Sequence, residues 1–122
     1  MTTPRILIIE DEHIVAEALG RALRGSGAEV VGMAATVDQA LELLASIPID
    51  GALLDVNLRG VRAFAVADRL IDRGLPFVFT TGYGAPIIPE AYRHIAVLQK
   101  PFEPDEILTT LFPTERSRIT RS

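Results

Sequence analysis

The sequence predicts an α/β fold, a doubly wound five-stranded parallel sheet with helices on both faces. Three observations carry this expectation. Short apolar runs alternate five times with stretches of helical period. The connections between those runs are too long for hairpins, so neighbouring strands run parallel. The central run, Ala52-Leu53-Leu54, is continuously apolar up to Asp55, as in a strand buried on both faces.

Taken in order, residues 5–9 form the first strand and 13–25 the first helix. In that helix Ile14, Val15, Ala18, Leu19, Ala22 and Leu23 recur at i, i+4 spacing and make one apolar stripe. Gly25-Ser26-Gly27 ends it, and the second strand covers 29–34. Thr36 and Gln39 form a capping-box pattern at the start of helix 37–46, whose buried face is Val37, Ala40, Leu41 and Leu44. Pro48 breaks this helix before the third strand, 51–55. After the loop Leu58-Arg59-Gly60, a helix over 61–73 is expected to bury Ala63, Val66, Ala67 and Leu70. The fourth strand spans 77–80. Gly82, Gly84, Pro86 and Pro89 then allow at most a short, irregular helix near 89–94. The fifth strand is 95–99, and Pro104, Asp105 and Glu106 open the last helix, 104–112. Residues 1–112 read as one domain, with 113–122 as a frayed tail and no output domain expected beyond it.

Composition narrows the chemistry. The chain of 122 residues is long enough for one core, and its 48% hydrophobic content with 6% aromatics predicts a core of Ile, Leu, Val and Ala. Without Cys, thiol nucleophiles and zinc–thiolate sites are excluded. No apolar run approaches the roughly 18 residues that span a bilayer. A net charge of −4 argues against nucleic acid as the main partner. A cytoplasmic protein without membrane contact is the expectation. Of 12 basic residues, Lys100 alone is Lys. That fits a position requiring a compact ammonium.

Four strand ends carry the polar groups. The first delivers Glu10-Asp11-Glu12, the third Asp55, the fourth Thr80-Thr81 and the fifth Lys100-Pro101. In open parallel sheets ligands bind at this rim. Glu10, Asp11 and Asp55 are like charges brought together, so they raise a pKa or recruit a cation. Oxygen donors without His or Cys suit Mg2+. An ammonium beside that cation makes sense for a phosphoryl group, whose oxygens both would neutralise. Asp55 is then the candidate nucleophile, and the Thr81 hydroxyl a donor to a phosphoryl oxygen. Each piece alone has a plainer reading. The acids cap a helix, Asp55-Val56-Asn57 is a turn, and Thr80-Thr81-Gly82 is a strand exit. Four such pieces at four strand ends in order favour one site. His13 and His94 read as helix-start and surface residues, and Gly25-Ser26-Gly27 as a turn, not a dinucleotide loop.

On these residues the chain, across 4–112, resembles the receiver domain of bacterial two-component response regulators. Glu10-Asp11 match the acidic pair, Asp55 the phosphoacceptor, Thr81 the switch hydroxyl, and Lys100-Pro101 the lysine with its usually cis proline. The resemblance implies a CheY-like, flavodoxin-like sheet of order 2-1-3-4-5. It also implies Mg2+ bound by Asp11, Asp55 and the backbone carbonyl of Asn57, with Glu10 acting through water. Phe79-Thr80-Thr81-Gly82-Tyr83-Gly84 is similar to the receivers whose fourth strand ends Phe-Ala-Thr-Gly-X-Tyr. Val97 stands where most receivers carry an aromatic switch residue, which makes Tyr83 a candidate for part of that role.

The implied cycle is phosphotransfer to Asp55 from a sensor histidine kinase or phosphotransfer protein. The segment 82–94 then reorders, and a protein target docks on it, strand five and helix 104–112. A phosphate-sink role is the alternative. Only self-phosphorylation and slow self-dephosphorylation are expected, so the chain is not an enzyme acting on free metabolites. Three rivals are weaker. An aspartyl phosphohydrolase needs a second acid where Asn57 stands. A flavodoxin-like carrier needs a phosphate loop where Glu10-Asp11-Glu12 stand. A receiver that signals unphosphorylated has no need of five intact chemical positions.

Overall fold

The computed structural model describes residues 3–82 and 88–113. Five strands form one parallel sheet: β1 (Arg5–Ile9), β2 (Glu29–Ala34), β3 (Gly51–Asp55), β4 (Phe77–Thr81) and β5 (Val97–Gln99). Their order is β2-β1-β3-β4-β5, as the resemblance implied. Pairing brings Ile9 beside Leu54, Leu54 beside Phe79 and Thr81 beside Gln99, so the carboxyl ends of β1, β3, β4 and β5 share one rim. The chain crosses from β1 to β2 on one side and from β3 to β4 on the other. This leaves a crevice between β1 and β3 at the reversal of strand order.

Side-chain alternation splits the core into two layers. Leu7, Ile9, Leu54, Phe77 and Phe79 pack with Ala40 and Leu44 of α2 (Val37–Ser46) and Val66, Ala67 and Leu70 of α3 (Phe64–Asp72). On the opposite face Ile6, Ile8, Leu53 and Val78 pack with Leu23 of α1 (His13–Gly25) and Ile107, Leu108 and Leu111 of α4 (Pro104–Leu111). The cap before α2 forms, with its return bond one residue ahead of the N-cap Thr36. Thr36 Oγ1 accepts from Gln39 N–H at 3.1 Å, while Gln39 Oε1 reaches back to Ala35 N–H at 2.9 Å.

Several expected boundaries and faces shift. The third helix begins at Phe64, not 61, because Val61–Arg62 pairs antiparallel with Asn57–Leu58 in a small ribbon. A long-range pairing thus consumes residues whose local pattern reads as helix. β5 begins at Val97; the Ile95 N–H already bonds Tyr92 C=O, and Ala96 is in the ladder only through its carbonyl to Phe79 N–H. The last helix ends at Leu111, one residue early. The short irregular helix is a single 3-10 turn, Glu90–Tyr92. The α1 stripe divides: Leu23 is buried with Ala16 and Gly20, and Leu19 packs against the same core, while Ile14 is 83% exposed. Ile14, Val15, Ala18, Leu19 and Ala22 also line an apolar groove of about 640 Å³ that runs on to Phe102. Of the expected tail, 114–122 lie outside the described residues. No described helix is long and apolar enough to cross a membrane.

Candidate functional site

The rim gathers Glu10 from the end of β1, Asp11 from the turn after it, Asp55 from the last position of β3, and Lys100 just past β5. Glu10 and Asp55 are buried, Asp11 partly so. One carboxylate oxygen from each of the three acids lies within 4.8 Å of the others. The acids do not cap α1: its N-cap, Glu12, makes no side-chain cap bond, and its first turn contains no acid. They converge on the rim instead.

Lys100 closes the ring. Its ammonium bonds Glu10 Oε1 and also reaches Asp55 Oδ2 at 3.1 Å. The Lys100–Pro101 peptide is cis, and Lys100 N–H donates to Thr81 C=O at 2.8 Å. Thr81 is buried at the end of β4, next to the site. The remaining oxygens are held by main chain. Glu10 Oε2 accepts from Glu12 N–H at 3.0 Å, and Asp55 Oδ1 from Asn57 N–H at 3.0 Å. Asp11 Oδ2 accepts from Arg59 N–H at 3.0 Å across 48 residues of sequence.

These contacts set the charges. Burial pushes Glu10 up to about 7, against the pull of the Lys100 ammonium and the Glu12 N–H. Burial also acts on Lys100, downward, but the bond to Glu10 and the nearby Asp55 outweigh it and leave the amine above its ordinary value. Asp11 is raised by its partial burial and lowered more by hydrogen bonds from Glu10 and Arg59, so it sits below its usual range. The ring therefore combines a carboxylate held ionised, a carboxyl near its titration point and a fixed ammonium. The donor set is hard oxygen throughout, which fits Mg2+. Glu10, Asp11 and Asp55 are the carboxylates that could hold it.

The structure thus brings together Glu10, Asp11, Asp55, Asn57, Thr81, Lys100 and Pro101. Tyr83 lies outside the described residues. Two neighbours had no signal in the periodicity. Arg59 enters through its backbone, at a turn that the Arg-Gly pair marks without saying what the turn touches. Tyr92 lies in the irregular segment, yet stacks on Phe64 at 4.9 Å between ring centroids and 8° between planes, and meets Phe79 edge-on at 6.2 Å. Its hydroxyl donates to Asp68 Oδ1 at 2.5 Å, a bond that raises the phenol above its ordinary value.

Comparison with known proteins bears on the family and the fold. A family model described as the response regulator receiver domain matches residues 6–112. The transcriptional regulatory protein DltR of Streptococcus agalactiae is 30% identical over 97% of this chain and 55% of its own length. The chain therefore spans about half of that curated relative. The solution structure of SdrG from Sphingomonas melonis Fr1 superposes with a TM-score of 0.81 at 40% identity, covering 91% of this chain and 98% of SdrG. The receiver domain of the response regulator PhyR from Erythrobacter litoralis gives 0.74 at 27% identity, covering 92% of each chain.

Proposed function

Because the chain belongs to the response regulator receiver family, we propose that it accepts a phosphoryl group on Asp55 from a histidine kinase or phosphotransfer protein. The observation that carries this reading is the Asp55 carboxylate itself. It is buried at a strand end, 3.1 Å from the Lys100 ammonium, with oxygens of Glu10 and Asp11 within 4.8 Å.

In the proposed step an Asp55 oxygen attacks phosphorus in line with the phosphohistidine nitrogen. The P–N bond breaks, the acyl phosphate O–P bond forms, and the donor imidazole leaves with the electron pair and takes a proton from water. Mg2+, when bound by Asp11, Asp55 and the Asn57 carbonyl, supplies positive charge against the phosphoryl oxygens. Lys100 supplies a second, fixed positive charge, positioned by Glu10. The Thr81 hydroxyl donates to a phosphoryl oxygen, and water reverses the modification slowly at the same site. Tyr83 shields the group or shares in switching, a role that rests on its place two residues beyond Thr81. The protein then signals by docking a target on the 82–94 segment, β5 and α4, or serves as a phosphate sink for a shared kinase.

The test is intact-protein mass after incubation with Mg2+ and acetyl phosphate or phosphoramidate. Wild type should gain one labile phosphate and Asp55→Ala none. If neither gains mass and beryllofluoride also fails to bind, the phosphoacceptor reading is wrong.

A further inference from the structure

The ribbon after β3 turns through Arg59 and Gly60, with φ of +53° and +82°. Two consecutive positive φ values are what a two-residue hairpin of the right twist demands, and Asn, Asp or Gly normally fill both places. Arg59 is the one non-glycine residue with positive φ among the described residues. The turn is fixed from below: Leu58 is buried, Val56 N–H bonds Thr80 C=O, and Ala63 N–H bonds Val56 C=O. Its tip reaches back over the rim, where the Arg59 N–H meets Asp11 Oδ2 at 3.0 Å.

We infer that Arg59 is a positioning residue for the acidic ring, acting through its backbone N–H to hold the Asp11 carboxylate ready for a divalent cation. The inference rests on the proposed reading of the site and adds to it a group that reading does not use. A carboxylate already ordered by a main-chain donor loses little freedom when a cation arrives. A partner behind a metal ligand typically governs affinity by about 10- to 100-fold. The guanidinium has no part in this, so the backbone geometry should matter and the side chain should not.

The test is Mg2+ affinity of the intact chain by calorimetry, for wild type, Asp11→Ala, Arg59→Gly and Arg59→Pro. Glycine keeps the N–H and the positive φ; proline removes the first and forbids the second. Arg59→Gly should stay within about twofold of wild type, and Arg59→Pro should weaken binding by about tenfold or more. Equal affinity in wild type and Arg59→Pro would overturn the inference, as would an equal loss in Arg59→Gly, which would assign the effect to the side chain. No Mg2+ binding by wild type would overturn the site reading and this inference with it. Should Arg59→Pro not fold, amide NMR of wild type decides. The Arg59 N–H should be protected from exchange, should lose that protection in Asp11→Ala, and should shift on Mg2+ addition. An unprotected or unmoved Arg59 amide would sink the idea.

Discussion

The two loops that leave the site are fastened in different ways. After β3, residues 56–63 are tied by main-chain donors: Val56 to Thr80, Arg59 to Asp11, Ala63 to Val56. Three buried side chains, Val56, Leu58 and Ala63, anchor them in the core as well. After β4, the described residues 88–96 bond mainly within themselves, as in Tyr92 N–H to Pro89 C=O and Ile95 N–H to Tyr92 C=O. They are held to the body by side chains, chiefly Tyr92 between Phe64, Phe79 and Asp68, with Ile88 and Ile95 packed on the same core. Main-chain bonds fix positions to a fraction of an ångström and cannot be traded for others. Aromatic packing at a half-buried surface can be left and remade. The first loop suits holding a reacting group still, the second suits movement in response to it.

Substitutions can break this contrast. The largest effect is expected from Leu58→Ala, which empties a fully buried site under the ribbon and should cost about 3 kcal/mol in urea unfolding. It should also loosen the Arg59 turn and weaken Mg2+ binding. A loss of stability with unchanged Mg2+ affinity would mean that the main-chain ties hold the ribbon without Leu58. Tyr92→Ala removes the stack, the edge contact and the hydroxyl bond of a half-buried ring, and about 2 kcal/mol is expected. Here Mg2+ affinity should not change, since the partners of Tyr92 are Phe64, Phe79 and Asp68 and not Glu10, Asp11 or Asp55. Tyr92→Phe keeps the ring and loses only the bond to Asp68, for about 0.5 to 1 kcal/mol. If Tyr92→Phe costs as much as Tyr92→Ala, the hydroxyl and not the stack fastens the segment.

Most of the sheet was legible in the sequence for a simple reason. Apolar runs such as Ile6–Ile9 and Ala52–Leu54 have no polar face to offer water, and each ends on the residues that reach the rim. Glu10, Asp11, Asp55, Thr81 and Lys100 were readable because a strand's end fixes where its next residue lies. The α1 stripe was less informative because periodicity reports which side of a helix is apolar, not what covers it; Leu23 is buried, yet Ile14 on the same stripe is 83% exposed. The start of α3 was misread because Val61 and Arg62 are claimed by Asn57 and Leu58, a pairing with no local period. Arg59 escaped notice because its contribution is a backbone N–H, which every residue but proline possesses. Tyr92 escaped because the segment around it is irregular, and its three partners come from two other elements.

The mildest probe is pH, because Lys100 pulls the Glu10 carboxyl against the effect of its burial. Glu10 titrates near 7 in the folded protein and near 4.5 when unfolded, so the folded state holds its proton more tightly. The sign follows: this contribution to stability is complete below about pH 4.5 and is lost as pH rises through about 7. Cations bind the ionised ring, so Mg2+ should stabilise the protein more above pH 7 than below it. Thermal midpoints measured with and without Mg2+ between about pH 5 and about pH 9 check both statements. The metal-free midpoint should fall across neutrality, the Mg2+ increment should grow, and Glu10→Gln should flatten the first trend while Lys100 stays charged. A wild-type midpoint that is level through neutrality, or one that falls as steeply in Glu10→Gln, would place the titrating group elsewhere. The contact of Glu10 with Lys100 would then be a plain ion pair, with both groups charged throughout this range.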